Sequence, residues 1–354
     1  MYNSKTITIL ITITLTTLIA CNDRKAVPKA DFIIANGQMP DIAKDKSGGI
    51  DIVYGAGDSI MYTHSADKGN TFSSPSLIAV VPKLFSFATR GPQIAVTSQG
   101  VIVTACTSTG NIYSYYKENG NWKQGGEVND VDTVAKEGLM ALTADGENAF
   151  AVWLDLRGNK RNKIYGASSN DGGRNWSKNK MIYTSPDTSV CECCKPSVIM
   201  KGNKVYVMFR NWLDGNRDLY LVQSSDGGAS FKQAQKLGAG SWKLNGCPMD
   251  GGSLAINQKG EVQTVWRREA TIYAAMPGMP ENEIGAGRSC TIGTVNNKNV
   301  YAWTENEEVI CSLPNGQKKI LGKGGQPVLT ALDNEHVICV WEEAKQIHAS
   351  VLEL

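Results

Sequence analysis

Charge imbalance is nearly absent from this chain: Lys+Arg 36 stand against Asp+Glu 34 in 354 residues. Without a global field there is nothing to concentrate a polyanion, which excludes a dedicated nucleic-acid-binding protein. Histidine is scarce, at three residues. His64 and His348 fall in strand-like segments and His336 beside another, so histidines offer no evident metal site. Helical periodicity is missing, since no apolar pattern at spacings of three and four continues for any length. Long apolar runs are missing too; the one candidate, Ile7 to Ala20, is too short to span a bilayer. What the chain does have is 36 glycines, 12 prolines, nine cysteines and a hydrophobic content of 42%. That content excludes intrinsic disorder and allows a core of ordinary size. Length alone would permit two domains, but closed all-β architectures often exceed the usual domain size as one unit.

The apolar run follows Lys5 and ends in Leu18-Ile19-Ala20-Cys21. This resembles the lipobox of bacterial lipoproteins and implies cleavage after Ala20 and acylation of Cys21; the alternative is an ordinary secretory peptide with a chance cysteine. Residues 1–20 then read as a lipoprotein signal peptide, 21–30 as the lipidated cysteine and a polar tether, and 31–354 as the folded domain. The address is the bacterial cell envelope, periplasmic or outer-membrane, with two or three acyl chains as a stable membrane anchor.

Beyond the tether one unit repeats. An Ile/Leu-Tyr dipeptide recurs at Ile112-Tyr113, Ile164-Tyr165, Leu219-Tyr220 and Ile272-Tyr273, with Ile60-Met61-Tyr62 starting the series and Val309-Ile310 and Gln346-Ile347 ending it. A β-branched and aromatic strand precedes each, from Ile52-Val53-Tyr54 to Val337-Ile338-Cys339-Val340-Trp341. Each unit reads as four strands, A to D, the size of a propeller blade. The prediction is all-β, a single β-propeller of four-stranded blades, with seven favoured and six as the alternative because the last two units are short. The final unit stops after its third strand, and the orphan strand Asp31 to Ala35 is placed to complete it and close the ring.

Three C–D turns carry one motif: Ser65 to Phe72, Ser169 to Trp176 and Ser224 to Phe231, each with Ser-x-Asp-x-Gly ahead of an aromatic. A degenerate copy runs from Glu118 to Trp122. The motif resembles the Asp-box, or BNR repeat, of sialidase-like β-propellers. Its mechanics are local: the carboxylate accepts turn N–H groups, the glycine takes positive φ, and the aromatic plugs a gap between sheets. In that family the boxes lie away from the active face.

The B–C and D–A loops mark the opposite face, and there the charged and sulfur residues collect. The resemblance implies an arginine cluster clamping a substrate carboxylate, an acid/base Asp and a Tyr nucleophile. Arg90 resembles the first clamp arginine, Arg210 and Arg267 end B strands as candidates for the others, and Arg157 and Arg288 stand in the same loops. The loop where the family keeps its acid, Cys106 to Asn111, holds no carboxylate, which leaves Asp155 and Asp250 as candidates. No tyrosine stands in the late top loops. The expected ligand is an acidic glycan such as a sialoside, or another small anion, and any enzymatic activity would be of exo-α-sialidase type.

Cys191-Glu192-Cys193-Cys194 precedes one A strand and Cys247 the next, so their sulfurs are expected to meet. In an exported protein disulfides are one reading, and Cys106, Cys191, Cys193, Cys194, Cys247 and Cys290 allow about 15 connectivities. The other is a soft-metal site for Cu or Zn on Cys191, Cys193, Cys194 and Cys247, with Met249 beside them. Cys311 and Cys339 fall in strands and read as core. The cysteine pairing also resembles a poorly characterised subgroup of Asp-box lipoproteins. A metal- or redox-linked binding protein and a non-catalytic, protein-binding propeller are the alternative functions.

Overall fold

The computed structural model describes residues 26–187 and 189–354; the expected cleavage site and Cys21 lie outside them. Every helical or strand element among the described residues is a β-strand, and the strands form seven four-stranded antiparallel sheets. The innermost strands are Gln38–Lys44, Gln93–Thr97, Met140–Asp145, Ser197–Lys201, Gly252–Ile256, Arg288–Val295 and Gly325–Ala331. Each touches the inner strands on both sides, and the last returns to the first. The fold is therefore a seven-bladed β-propeller, blades I to VII in that order. Six blades are ruled out because the sixth unit builds a complete sheet and the seventh does so with the N-terminal strand.

Ring closure follows the expected route. Lys29–Asn36 pairs antiparallel with Gln346–Glu353, with Phe32 opposite Ala349, and so becomes the outer strand of blade VII. No helix among the described residues is long and apolar enough to cross a membrane.

Alternation along the strands puts an apolar row on both faces of every blade, so a core forms wherever two blades meet. Seven clusters result, one per seam. Leu154 and Phe209 meet between blades III and IV, for example, and Cys311 and Cys339 between VI and VII. Trp153, Trp303 and Trp341, near the ends of second strands, are fully buried. Cys311 and Cys339 are free and buried, as a core role requires.

The three Asp-boxes share one hydrogen-bond pattern. In blade IV, Ser224 Oγ donates to Asp226 Oδ1 (2.7 Å) and accepts from Gly228 N (2.9 Å), while Ser230 N and Oγ donate to the carboxylate at 2.9 and 2.5 Å. Phe231 packs on Phe150 of the preceding blade. The copy from Glu118 to Trp122 differs, because Asn119 and Gly120 both take positive φ in a tight hairpin with no aspartate at the turn, and Glu118 pairs instead with Lys123 and Arg174; Trp122 still packs edge-on against Tyr62. The Ser230 and Ser224 hydroxyls hold Asp226 well below the usual carboxylate range. A folded-state value below the unfolded one adds stability above the ordinary 3.8, lost as the pH falls through the folded value. Thermal midpoints measured from pH 7 to 2 should therefore fall less steeply for Asp226→Asn than for the wild type.

Candidate functional site

Top loops of blades V, VI, VII and I surround an open cleft of 820 Å³. Its basic residues are Arg267, at the end of the second strand of blade V, and Arg288 and Lys323 from blade VI. Glu307, Glu342 and Glu343 supply the acidic ones. Glu342 is engaged, accepting from Gln38 Nε2 (3.1 Å) and Met39 N (2.9 Å). Arg288 is exposed and makes no ion pair among the described residues. Part of the wall is bare backbone: Gly287 and Gly324 take φ of +135° and +121°, and a Cβ on either would lie 2.3 Å from a carbonyl oxygen of the adjacent strand.

Arg267 links the cleft to the channel at the propeller axis. Its Nη1 lies 3.6 Å from Asp250 Oδ2, its Nε donates to Glu269 O, and its guanidinium sits over the Trp242 ring. The channel, 310 Å³, is lined by all seven inner strands and includes Asp250, Asp41 and Lys195. Burial pushes Asp250 above the ordinary carboxylate value, opposed by Arg210 and by Ser289 N, which donates to Oδ2 at 3.0 Å. Burial likewise raises Asp41 and lowers Lys195, each partly offset by the other's charge. Sequence reasoning missed Asp41 and Lys195. The available signal was a charge in or just before an inner strand, the narrowest part of a ring.

The other expected site residues lie elsewhere. Arg210 is 1% exposed and donates to three carbonyls: Asp250 O (3.0 Å), Arg217 O (2.6 Å) and Arg267 O (2.8 Å). Arg90 is held by Glu137 O (2.5 Å) and Ala88 O (3.1 Å), flanked by Phe85 and Phe87. Arg157 grips Asp155 with Nε and Nη2 at 2.9 and 2.8 Å, and Trp153 Nε1 donates to the same carboxylate. Asp155 is fully buried there. Of the five arginines, Arg267 and Arg288 line the cleft; of the two aspartates, Asp250 lines the channel.

The cysteine loops of blades IV and V do meet. Cys193 and Cys247 are joined in a disulfide. Their sulfurs carry no thiolate charge in that state, whereas Cys191 and Cys194 keep their thiols, and the sulfurs of Cys191, Cys193 and Cys194 lie within 4.8 Å of one another. Cys191 Sγ lies 3.2 Å from Cys194 Sγ, 3.8 Å from Cys193 Sγ and 3.3 Å from Arg217 Nη1. The Cys194 contact, opposed by burial and aided by the two guanidiniums, lowers Cys191 to about 6; burial and Cys191 itself drive Cys194 upward. Cys106 is a free buried thiol facing Ala135 O, and Cys290 is free and buried beside Asp250.

Residues 47–265 match the family model described as BNR repeat-like domain. The chain belongs to the BNR repeat-like domain family. Among solved structures this BNR-repeat protein is similar to a protein of unknown function from Dyadobacter fermentans. The likeness has 15% identity over 93% of this chain and 99% of the other, with a TM-score of 0.51. Virginiamycin B lyase from Staphylococcus aureus shares 12% identity over 91% of this chain and 98% of its own, TM-score 0.54. A point mutant of the NanB sialidase from Streptococcus pneumoniae shares 13% identity over 93% and 70%, TM-score 0.45. At these identities the likeness is one of fold. No curated protein matches the chain. The BNR repeats account for the Asp-box face, whereas the cleft and the cysteine loops of blades IV and V lie on the opposite one.

Proposed function

We propose that this BNR-repeat propeller is an exported protein, held to the cell envelope by lipid on Cys21, that recognises an acidic glycan such as a sialoside in the cleft of blades V, VI, VII and I. At the level of the family the fold supports a glycan-related role. The observation that carries the finer reading is the pair Arg267 and Arg288 on an 820 Å³ cleft, with Arg288 unpaired among the described residues. A guanidinium presents a planar fork of donors that matches a carboxylate, and the sugar's hydroxyls would meet the bare backbone beside Gly287 and Gly324.

Calorimetric titration with sialic and glucuronic acids tests the reading, with galactose as the neutral control. Losing a hydrogen bond to a charged group costs about 1.5–3 kcal/mol, so Arg288→Ala should weaken binding roughly 10- to 100-fold. Arg267→Ala should act in the same direction. Absence of binding at millimolar acid, or affinity indifferent to both substitutions, would sink the proposal. Asp250 is the candidate acid if the glycan is cleaved, because its burial favours retention of the proton against the opposing charges of Arg210 and Arg267. Turnover of a fluorogenic sialoside, abolished by Asp250→Asn, is the result that would establish hydrolysis.

A further inference from the structure

The Cys193–Cys247 bond is the surface end of a row of sulfurs that continues inward. Cys247 is exposed, Cys193 is half-buried, and Cys191 and Cys194 are buried behind them. Cys191 Sγ lies 3.8 Å from Cys193 Sγ on one side and 3.2 Å from Cys194 Sγ on another, with Arg217 Nη1 at 3.3 Å as a counter-charge. Thiol–disulfide exchange requires a sulfur nucleophile near a disulfide sulfur and a leaving sulfur that can carry negative charge. Cys191 meets the first requirement, and the exposure of Cys247 to water meets the second. The anionic-ligand cleft uses none of these sulfurs.

We propose that Cys191, Cys193, Cys194 and Cys247 form an intramolecular thiol–disulfide exchange relay connecting the surface disulfide to the buried thiol pair. In the first step Cys191, its proton released to solvent, bonds through Sγ to Cys193 Sγ. The Cys193–Cys247 bond breaks, and its electron pair leaves on Cys247 Sγ, which takes up a proton from water. In the second step Cys194, also deprotonated, bonds to Cys191 Sγ, and the electron pair of the Cys191–Cys193 bond leaves on Cys193 Sγ, which is protonated. One disulfide is present throughout, so no external oxidant or reductant is consumed. The product carries a dithiol, Cys193 and Cys247, at the surface.

The test incubates the mature protein, natively folded and without reductant, with N-ethylmaleimide, followed by non-reducing peptide mapping. The expected result is maleimide accumulating on Cys247 while the Cys193–Cys247 linkage disappears, with a new disulfide inside the fragment holding Cys191, Cys193 and Cys194. Cys191→Ser removes the nucleophile and should slow Cys247 labelling by about tenfold or more. Cys194→Ser spares the first step and should leave Cys247 labelling in place. An unlabelled Cys247 in the wild type would overturn the relay, as would equal labelling in Cys191→Ser. So would purified protein carrying stoichiometric copper or zinc with no Cys193–Cys247 bond. If Cys191→Ser does not fold, the new disulfide in the wild type decides alone.

Discussion

Arg210→Met is expected to lower the stability of the propeller by about 4 kcal/mol, the scale of breaking a buried charged network from one side. The three carbonyls that its guanidinium satisfies belong to two blades, since Asp250 and Arg267 are in blade V and Arg217 in the loop of blade IV. Methionine fills similar volume but leaves those acceptors facing an apolar chain, each costing about 1–3 kcal/mol less whatever relaxation recovers. Guanidinium chloride denaturation would show the loss as a lower midpoint with an unchanged slope. A ligand-clamp role would predict the reverse, intact stability and lost affinity. Arg210 is 1% exposed, so the structural outcome is the expected one.

The second large effect concerns the blade IV Asp-box. Gly228 has φ +90°, and a Cβ there would lie 2.1 Å from the Phe150 ring of blade III. Gly228→Ala therefore combines a left-handed backbone, about 1–2 kcal/mol, with forced repacking of a core ring, about 1–3 kcal/mol. The expected loss is about 3 kcal/mol in total. Its neighbour is the control: Gly227 has φ +71° but nothing within 4 Å of a Cβ, so Gly227→Ala should cost only about 1 kcal/mol. Equal losses at the two positions would show that backbone conformation, not contact with blade III, is what the box glycine supplies.

Blade number, strand order, ring closure and the Asp-box turns were legible because each rests on local pattern. The continuous apolar run from Val337 to Trp341 marks a strand buried on both faces, and Ser224 and Asp226 close their turn within eight residues. The site was much less legible. Arg210 reads as a strand-end arginine like Arg267, yet one turns into the seam and the other onto the cleft. The difference lies in carbonyls 40 and 57 residues away, which no spacing encodes. Asp155 looked available for catalysis until Arg157, two residues on, proved to hold it. The cysteines fall between these cases. Adjacent loops predicted that the sulfurs would meet, but spacing does not encode that Cys193 pairs with Cys247 while Cys191 sits buried against Arg217.

The strand that closes the ring also sets which way the molecule looks. Val27 N donates to Asn70 Oδ1 in the first Asp-box, so the chain enters at that face. It crosses the full height of blade VII along Lys29–Asn36 and emerges beside Lys345 and Gln38, at the rim of the cleft. A propeller tethered through Cys21, as proposed, is therefore held by its Asp-box side. Such a tether would turn the three boxes toward the lipid and open the cleft away from the membrane, toward soluble or cell-surface ligands.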